Sequence, residues 1–314
     1  MTMHRNADAA PAVPVASGAG AAPGAAAHPL RAALLVIAAV LLFAGMDTTT
    51  KVLTSDYAPP VVIAVRYAVQ CLLMLAILAP SQGRSLVQTQ RTGLVVLRSV
   101  CLALASLIMA IAFHRLPVAE ATAIVFLSPL LVVLISGTVL KERVGAFGIA
   151  AAVTGFAGVL LIARPGAGLD PLGVACALIG AVLIASYQLM SRLLARTERT
   201  VPMLFYTAVI GSVIYGLMLP WFWDGPQPDT RQVALFVCTG AAGGVGHFLF
   251  TAAHREAPAS VLAPVMYVQL IWAGLLGWLV FGHIADPLSV CGMVIVAMAG
   301  AAVALRAHRP RASR

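Results

Sequence analysis

The stretch Leu116 to Gly145, LPVAEATAIVFLSPLLVVLISGTVLKERVG, decides the fold class because it contains twenty successive uncharged residues, Ala121 to Leu140. At a helical rise of about 1.5 Å per residue, such a run crosses the roughly 30 Å hydrocarbon core of a bilayer. It begins with Pro117 and Glu120 in what would be the first helical turn, where a missing amide hydrogen is harmless and a negative charge suits the helix dipole. It stops at the charged residues 141–143. We therefore predict a membrane-spanning helix here.

The composition extends this interpretation to nearly the whole chain. Ala257 to Phe281, APASVLAPVMYVQLIWAGLLGWLVF, has the same design and ends at the polar segment 282–287. Of all residues, 61% are hydrophobic and 10% are charged, and the mean hydropathy is +0.97. Soluble domains carry roughly 25% charged residues. The sequence therefore predicts an all-α polytopic membrane protein, and its net charge of +9 is expected to follow membrane topology and not to bind nucleic acid.

Ten apolar segments follow one another from Leu30 onward. Their predicted bounds are 31–53, 60–79, 93–113, 118–140, 146–163, 172–194, 201–221, 232–253, 257–281 and 288–305. Residues 1–29 are rich in Ala, Pro and Gly and predict a disordered cytoplasmic tail, and residues 308–314 predict a short basic tail.

The basic residues of the loops predict the orientation of these helices. Fifteen lie on one side and three (Arg115, Arg164 and Arg231) on the other, while Lys51 and Arg66 fall inside the membrane, which accounts for all 20. Cytoplasmic loops carry the excess of Lys and Arg. Both termini are therefore predicted to be cytoplasmic. Arg outnumbers Lys 18 to 2, which is typical of a GC-rich bacterial genome, so we expect the membrane to be a bacterial inner membrane.

The chain also contains an internal repeat. The matching pairs lie 142 or 141 residues apart: Pro29-Leu30 with Pro171-Leu172, Val40-Leu41 with Val182-Leu183, Pro60 with Pro202, and Pro117 with Pro258. Each half, residues 30–166 and 167–307, then has five spans. Because five is odd, the halves must have opposite orientations, as in the inverted repeats of many secondary transporters.

Two quoted segments identify a family. FHRLPVAEATAIVFLSPLLVVLISGTVLKERVG, followed by GFAGVLLIARPG, resembles the EamA-type domain of the drug/metabolite transporter superfamily, and REAPASVLAPVMYVQLIWAGLLGWLVFG is similar to the second copy of that domain. The resemblance covers about residues 30–307 and implies ten helices, cytoplasmic termini and transport of small organic solutes. The family usually has a Glu after the apolar run of each repeat. Here the first repeat has Glu142, but the second has His283, which implies a different, pH-sensitive way of fixing the second copy.

Ionisable groups inside the membrane are the first candidates for a transport site, because each one needs a partner or a water-filled cavity. Asp47 and Lys51 lie one turn apart on the first segment, and Arg66 lies on the second. They either form a charged patch in the cavity wall, with Arg66 meeting a substrate carboxylate or phosphate, or play a structural part. In the structural alternative Asp47 and Lys51 neutralise each other and Arg66 extends to the interface.

Glu120 and His247 are candidates for charge or proton coupling. Glu120 would occupy the first turn of the fourth segment, where a carboxylate also has a purely structural role. Its alternative role is that of a proton-carrying acid exposed in turn to the two sides of the membrane. A lone histidine such as His247, in GGVGHFLF, either bonds between helices or relays protons.

Polar and aromatic residues of the ninth segment are the candidates for substrate recognition. Tyr267, Gln269 and Trp272 fall near its middle, at the depth where transporters bind their cargo. A buried amide needs partners in lipid, so Gln269 is expected to line the cavity. Pro264, like Pro129 in the fourth segment, removes a helical hydrogen bond and permits a kink. Weaker candidates of the same kind are Tyr187 and Tyr206.

The leading hypothesis is a secondary transporter that works by alternating access, with a small-molecule substrate, a lipid bilayer as its surroundings and no cofactor or metal. The sequence contains neither a G-x-x-x-x-G-K-[ST] nor an H-E-x-x-H motif. Family resemblance implies amino-acid-like compounds or other metabolites with export favoured, or uptake of a vitamin such as riboflavin. The rival from another class is a membrane enzyme acting on lipid-linked substrates, and the oligomeric state, monomer or homodimer, stays open.

Overall fold

The computed structural model describes residues 29–139, 146–163, 169–194, 197–223, 226–256, 262 and 265–307. The described residues form helices joined by short connections and contain no strand. These helices are α1 (Pro29–Leu53), α2 (Pro59–Gln82), a 3₁₀ turn (Gly83–Leu86), α3 (Thr92–Arg115), α4 (Val118–Val125), α5 (Ser128–Val139), α6 (Ala146–Ala163), α7 (Pro171–Leu194), α8 (Thr200–Phe222), α9 (Thr230–Glu256), α10 (Val268–Phe281) and α11 (Pro287–Ala307). The two predicted tails, apart from Pro29, lie outside the described residues, as do Glu142 and Pro264.

Seven of the described helices are long and apolar enough to cross a membrane. Three further apolar stretches, Val118–Val132, Val268–Phe281 and Pro287–Ala302, are shorter. Large apolar side chains such as Leu72, Leu217 and Ile271 are exposed by 66% or more. A soluble monomer rarely exposes so much apolar surface, so the all-helical membrane fold predicted from composition agrees with the structure.

The fourth apolar segment is broken into two helices, α4 and α5, at Phe126 and Leu127. Pro129 explains the break, because proline lacks the amide hydrogen that would bond to the carbonyl of Val125. The ninth segment has a turn at Tyr267, which lies 141 residues after Phe126. The two aromatic rings pack against each other with their centroids 4.9 Å apart. Helix interruptions at equivalent positions of the two halves therefore meet inside the bundle.

Helix packing follows the same correspondence. The closest-packed pairs join one half of the chain to the other: α1 with α9, α3 with α7, α6 with α11, and α2 with α8. By chain order, α1 of the first half corresponds to α7 of the second, α2 to α8, α3 to α9, and α6 to α11. When each helix is replaced by its counterpart, the α1–α9 pair becomes the α3–α7 pair, and the α2–α8 and α6–α11 pairs stay the same. The core of the protein is therefore an interface between the two halves, and neither half forms it alone.

Two glycines allow the closest of these approaches. A Cβ atom added to Gly158 of α6 would lie 2.9 Å from the carbonyl oxygen of Gly292 in α11. Real Cβ atoms do not come so close to a backbone atom, so α6 and α11 cross with their backbones in contact. Side chains at either position would force the helices apart.

The connections gather at two ends of the bundle. At one end, which we call the Lys51 end, Gln232 bonds to Asp56 across 3.0 Å and Arg115 pairs with Asp170 across 2.7 Å. At the other, the Arg98 end, Glu198 accepts hydrogen bonds from the backbone amides of residues 90 and 91. The two ends define the long axis of the bundle.

Candidate functional site

A polar cluster lies in the interior of the bundle, between α1 and α2 of the first half and α9 and α10 of the second. We call it the central cluster, and it consists of Asp47, Arg66, His247 and Gln269. The amide Nε2 of Gln269 donates a hydrogen bond to Asp47 Oδ2 at 3.3 Å. Gln269 stands in the first turn of α10, directly after the helix interruption at Tyr267. The bond therefore joins the two halves of the chain beside that interruption.

Arg66 supplies the positive charge of the central cluster. Its side chain is buried, and it lies near enough to Asp47 and His247 for their charges to interact. Within the described residues, its side-chain hydrogen bond goes from Nη1 to the sulfur of Met46 at 3.7 Å. A thioether is a weak acceptor, so most of the guanidinium donors are available to a ligand. The alternative in which Arg66 extends to the interface does not fit a buried guanidinium.

His247, the member of the central cluster on α9, lies where a small neighbouring residue allows α9 to pack closely on α1. A Cβ atom on Gly246 would lie 2.7 Å from the ring of Phe43, so glycine lets α9 pack closely on α1. The His247 and Phe43 rings lie 4.9 Å apart at an angle of 57°. Within the central cluster, the imidazole of His247 therefore packs against the ring of Phe43.

Lys51 does not neutralise Asp47. Its ammonium group donates hydrogen bonds to the carbonyl oxygens of Phe113 and Leu116 at 2.7 and 2.6 Å, at the C-terminus of α3. Carbonyls at a helix C-terminus favour such a cation. The interpretation of Asp47 and Lys51 as a self-neutralising pair is wrong in this structure, because the two side chains bind different partners.

A second cluster joins the halves at the Lys51 end. Oε1 of Glu120, in the first turn of α4, lies 2.9 Å from Nε2 of His283, two residues beyond α10. The Glu120 side chain is 3% exposed and that of His283 38%. Together with Lys51 and Arg115 they line a cavity of about 440 Å³ that opens at this end. One helical turn separates Lys51, in the cavity wall, from Asp47 in the central cluster.

The aromatic candidates have different surroundings. Tyr267 is buried in the main apolar core, with its hydroxyl against Gly300. Trp272 packs with apolar residues of α1, and its indole nitrogen is buried without a hydrogen-bond partner among the described residues. The Tyr206 hydroxyl donates to the Val87 carbonyl at 3.2 Å, near the surface of the Arg98 end. Of the three, Trp272 lies on the helix that carries Gln269.

Arg98 is a buried charge that the sequence analysis missed, because it was grouped with the loop cations of the predicted cytoplasmic side. It is 3% exposed on α3. Its guanidinium donates to Ser191 and Tyr187 at 2.6 Å, and to Thr207 and the carbonyl of Met203 at 3.2 Å. All four partners are neutral and belong to α7 and α8. Its position within an apolar helix, six residues after Thr92, is the sequence signal that could have identified it.

These features define a helical membrane protein with polar groups in its interior, a cavity open at one end and two halves that meet along its core. That is the architecture of a membrane transporter. The model of the EamA-like transporter family matches the chain twice, over residues 30–164 and 171–306. The chain therefore belongs to the EamA-like transporter family, within the drug/metabolite transporter superfamily, and this membership points away from catalysis.

Relatives that are named as transporters of a particular solute differ in their cargo and in the direction of transport. The chain is 29% identical to the riboflavin transporter of Vibrio cholerae over 82% of this chain and 87% of that protein. It is 23% identical to the S-adenosylmethionine uptake transporter of Rickettsia prowazekii (68% and 72%) and 23% identical to the pseudopaline exporter of Pseudomonas aeruginosa (82% and 90%). A solved crystal structure of a protein with 20% identity superposes with a TM-score of 0.63, covering 88% of this chain and 99% of that one. That superposition supports the fold alone.

Proposed function

We propose that the protein exports a small amino-acid-like solute, and that the central cluster binds it during alternating access between two inverted five-helix halves. The observation that carries this proposal is the position of Asp47 and Arg66. They are opposite charges in the membrane interior, and each makes its side-chain hydrogen bond to a neutral partner. A solute with one carboxylate and one ammonium group matches both charges at once.

The chemistry of each group supports this assignment. A guanidinium binds a carboxylate through two parallel hydrogen bonds, and the donors of Arg66 are mostly unused within the described residues. Asp47 would accept the ammonium group, since its bond to Gln269 is long at 3.3 Å and engages one oxygen. Gln269 and Trp272 would complete the site from the second half, and the indole N–H of Trp272 has no hydrogen-bond partner among the described residues.

Alternating access is supported by the symmetry of helix packing. Because the two halves meet along every main contact, a rocking motion of one against the other would expose the central cluster to either end. The interruptions at Phe126 and Tyr267 lie where the halves cross. Backbone irregularity at membrane depth is tolerated where it lines a cavity or is buried in protein.

The first experiment compares the small molecules in the medium and inside cells for a deletion strain and an overproducing strain. Export predicts a solute that accumulates outside on overproduction and inside on deletion. The opposite pattern would replace export with uptake of a vitamin-like solute. If no solute differs in either strain, purified protein in liposomes is tested with a panel of amino acids and their derivatives, and lack of flux there contradicts the proposal.

Variants then test the central cluster with the solute identified. Arg66→Gln and Gln269→Ala should each reduce flux at least about tenfold, the effect of losing roughly 1.4 kcal/mol of binding. Arg84→Gln is the matched control, because Arg84 is exposed at the Arg98 end. Wild-type flux from correctly inserted Arg66 and Gln269 variants would remove these residues from the site.

A further inference from the structure

Glu120 and His283 form a hydrogen bond whose two ends have unequal contact with solution. The carboxylate is buried on α4, in the first half, and the imidazole is partly exposed beyond α10, in the second. Gly282 adopts a left-handed φ of 66°, and its amide bonds to the carbonyl of Trp278 at 2.8 Å. This helix cap fixes the position of His283. Solution at the Lys51 end can therefore reach the imidazole while the carboxylate stays enclosed.

Charged side chains of α1, of α3 and of the segment before α11 surround this bond. Lys51 of α1 and Arg115 of α3 contribute positive charges to the cavity, and Asp286 before α11 a negative one. Arg115 is already paired with Asp170, and Lys51 is close enough for its charge to act on Glu120. His114 of α3 lines the neighbouring groove beside Lys51. Among these groups, His283 makes the direct bond to the carboxylate.

Glu120 depends on that bond. Its second oxygen, Oε2, is buried without a hydrogen-bond partner among the described residues. A buried carboxylate is costly unless a partner compensates it. A protonated imidazole compensates it best, because a hydrogen bond between opposite charges is about twice as strong as a neutral one. Histidine is the side chain that most readily changes its charge near neutral pH, and a protonated His283 would make this bond stronger than a neutral one.

The sequence provides this pair at one end only. By the 141-residue offset of the repeat, the counterpart of Glu120 is Val261 and that of His283 is Glu142. Those two counterparts lie outside the described residues. A valine can make no side-chain hydrogen bond, so the same pair cannot form at the equivalent place in the other repeat. Any control by this pair acts on one face of the membrane.

We propose that Glu120 and His283 form a proton-controlled latch that holds the two halves together at the Lys51 end, which the charge pattern predicts to face outward. Protonated His283 strengthens the latch, and loss of its proton as the pH rises weakens it. The latch deepens the proposed transport function and rests on it, because it would control access to the central cluster from that side.

The test measures the opening of the Lys51 end and needs no transported solute. Thr48, on α1 between Asp47 and Lys51, is buried, and Ile284, on the loop beside His283, is 74% exposed. In a background where the five free cysteines are replaced by alanine, Thr48→Cys reports opening and Ile284→Cys serves as the exposed reference. A membrane-impermeant methanethiosulfonate is added from the Lys51 side at pH 6 and pH 8, and the rate at position 48 is divided by the rate at position 284.

In the cysteine-free parent, which keeps Glu120 and His283, the ratio of the labelling rates at positions 48 and 284 should rise about fivefold from pH 6 to pH 8. This factor corresponds to the difference in strength between a charged and a neutral hydrogen bond. His283→Gln and Glu120→Gln should give a high ratio that changes less with pH. His283→Arg keeps a positive charge at both pH values and should give a low, flat ratio.

The same rise with pH in the parent and in all three variants would overturn the latch. So would the absence of labelling at position 48 in every variant while position 284 reacts, because removal of the latch should open this end. If the labelling results contradict the latch while solute flux is still observed, the transport proposal stands. If flux fails while the labelling pattern holds, the transport proposal fails alone.

Discussion

Three cations in the described part of the chain, Arg98, Lys51 and Arg66, are bound in different ways, and their partners suggest their roles. Among the described residues, Arg98 makes four hydrogen bonds to neutral groups, Lys51 makes two to carbonyl oxygens, and Arg66 makes one to a sulfur. A charge whose donors are used up holds helices together. A charge with unused donors is available to a ligand. On this ground we infer a structural role for Arg98 and propose a ligand-binding role for Arg66.

Replacing Arg98 with methionine should lower the free energy of unfolding by about 2 kcal/mol, because hydrogen bonds from α3 to α7 and α8 are lost while the cost of burying a charge is relieved. The melting temperature in detergent measures the loss. Arg84→Met is the control at an exposed position of the same end, and it should melt within about 0.5 kcal/mol of the parent. Equal melting of both variants would contradict a structural role for Arg98.

Asp170 gives an acid-dependent contribution to stability. Its hydrogen bond with Arg115, followed by the backbone amide of Leu172, holds its pKa below the ordinary value. The lower pKa in the folded state means that this contribution is complete above the unfolded pKa, about 3.9, and is lost as the pH falls through the lower folded value. Melting of the parent between pH 5 and pH 3 should therefore fall more steeply than that of Asp170→Asn. Parallel curves would show that the pair adds nothing.

At the scale of the helices, the interruptions of the fourth and ninth segments matter most. The sequence predicted a kink in each from Pro129 and Pro264. The structure breaks the fourth segment at Phe126, and the turn it describes in the ninth lies at Tyr267, three residues beyond Pro264. The contact between these two residues was not predictable from either segment alone. Proline makes a break possible locally, but packing across the halves decides where it falls.

The crossing of α6 and α11 gives a test at this scale. Gly292→Ala should lower the free energy of unfolding by about 1–3 kcal/mol, the usual cost of overpacking, because the new Cβ would lie 2.5 Å from the carbonyl oxygen of Gly158. Gly216→Ala in α8 is the matched control, since its Cβ would contact nothing within 4 Å. That change should leave stability equal or raise it by up to about 1 kcal/mol. If the two variants melt alike, α6 and α11 are not in backbone contact in the membrane.

At the scale of the whole molecule, the two halves depend on each other for their core. The sequence indicated this organisation through a repeat offset and an odd number of spans in each half. Helix packing supports the correspondence between the halves, while their opposite orientation in a bilayer stays a prediction. The charge pattern predicts that the Lys51 end faces outward and the Arg98 end inward.

Labelling of single cysteines tests that orientation. Ser55, at the Lys51 end, and Gln88, at the Arg98 end, are both exposed. In the cysteine-free background, Ser55→Cys should react with an impermeant maleimide in intact cells, and Gln88→Cys only after the membrane is permeabilised. The reverse pattern would place the Lys51 end in the cytoplasm and would assign the Glu120–His283 latch to internal pH.

The sequence by itself determined the membrane class, the family, the apolar segments and the ionisable residues inside them, because hydrophobicity and charge act locally and can be read along the chain. It also selected Asp47, Arg66, His247 and Gln269 one by one. The tertiary structure decided which of them meet: Asp47 bonds to Gln269 and not to Lys51, and Glu120 bonds to His283. These partners lie 222 and 163 residues apart. Contacts between such distant side chains depend on how the halves pack, which no local pattern in the sequence specifies.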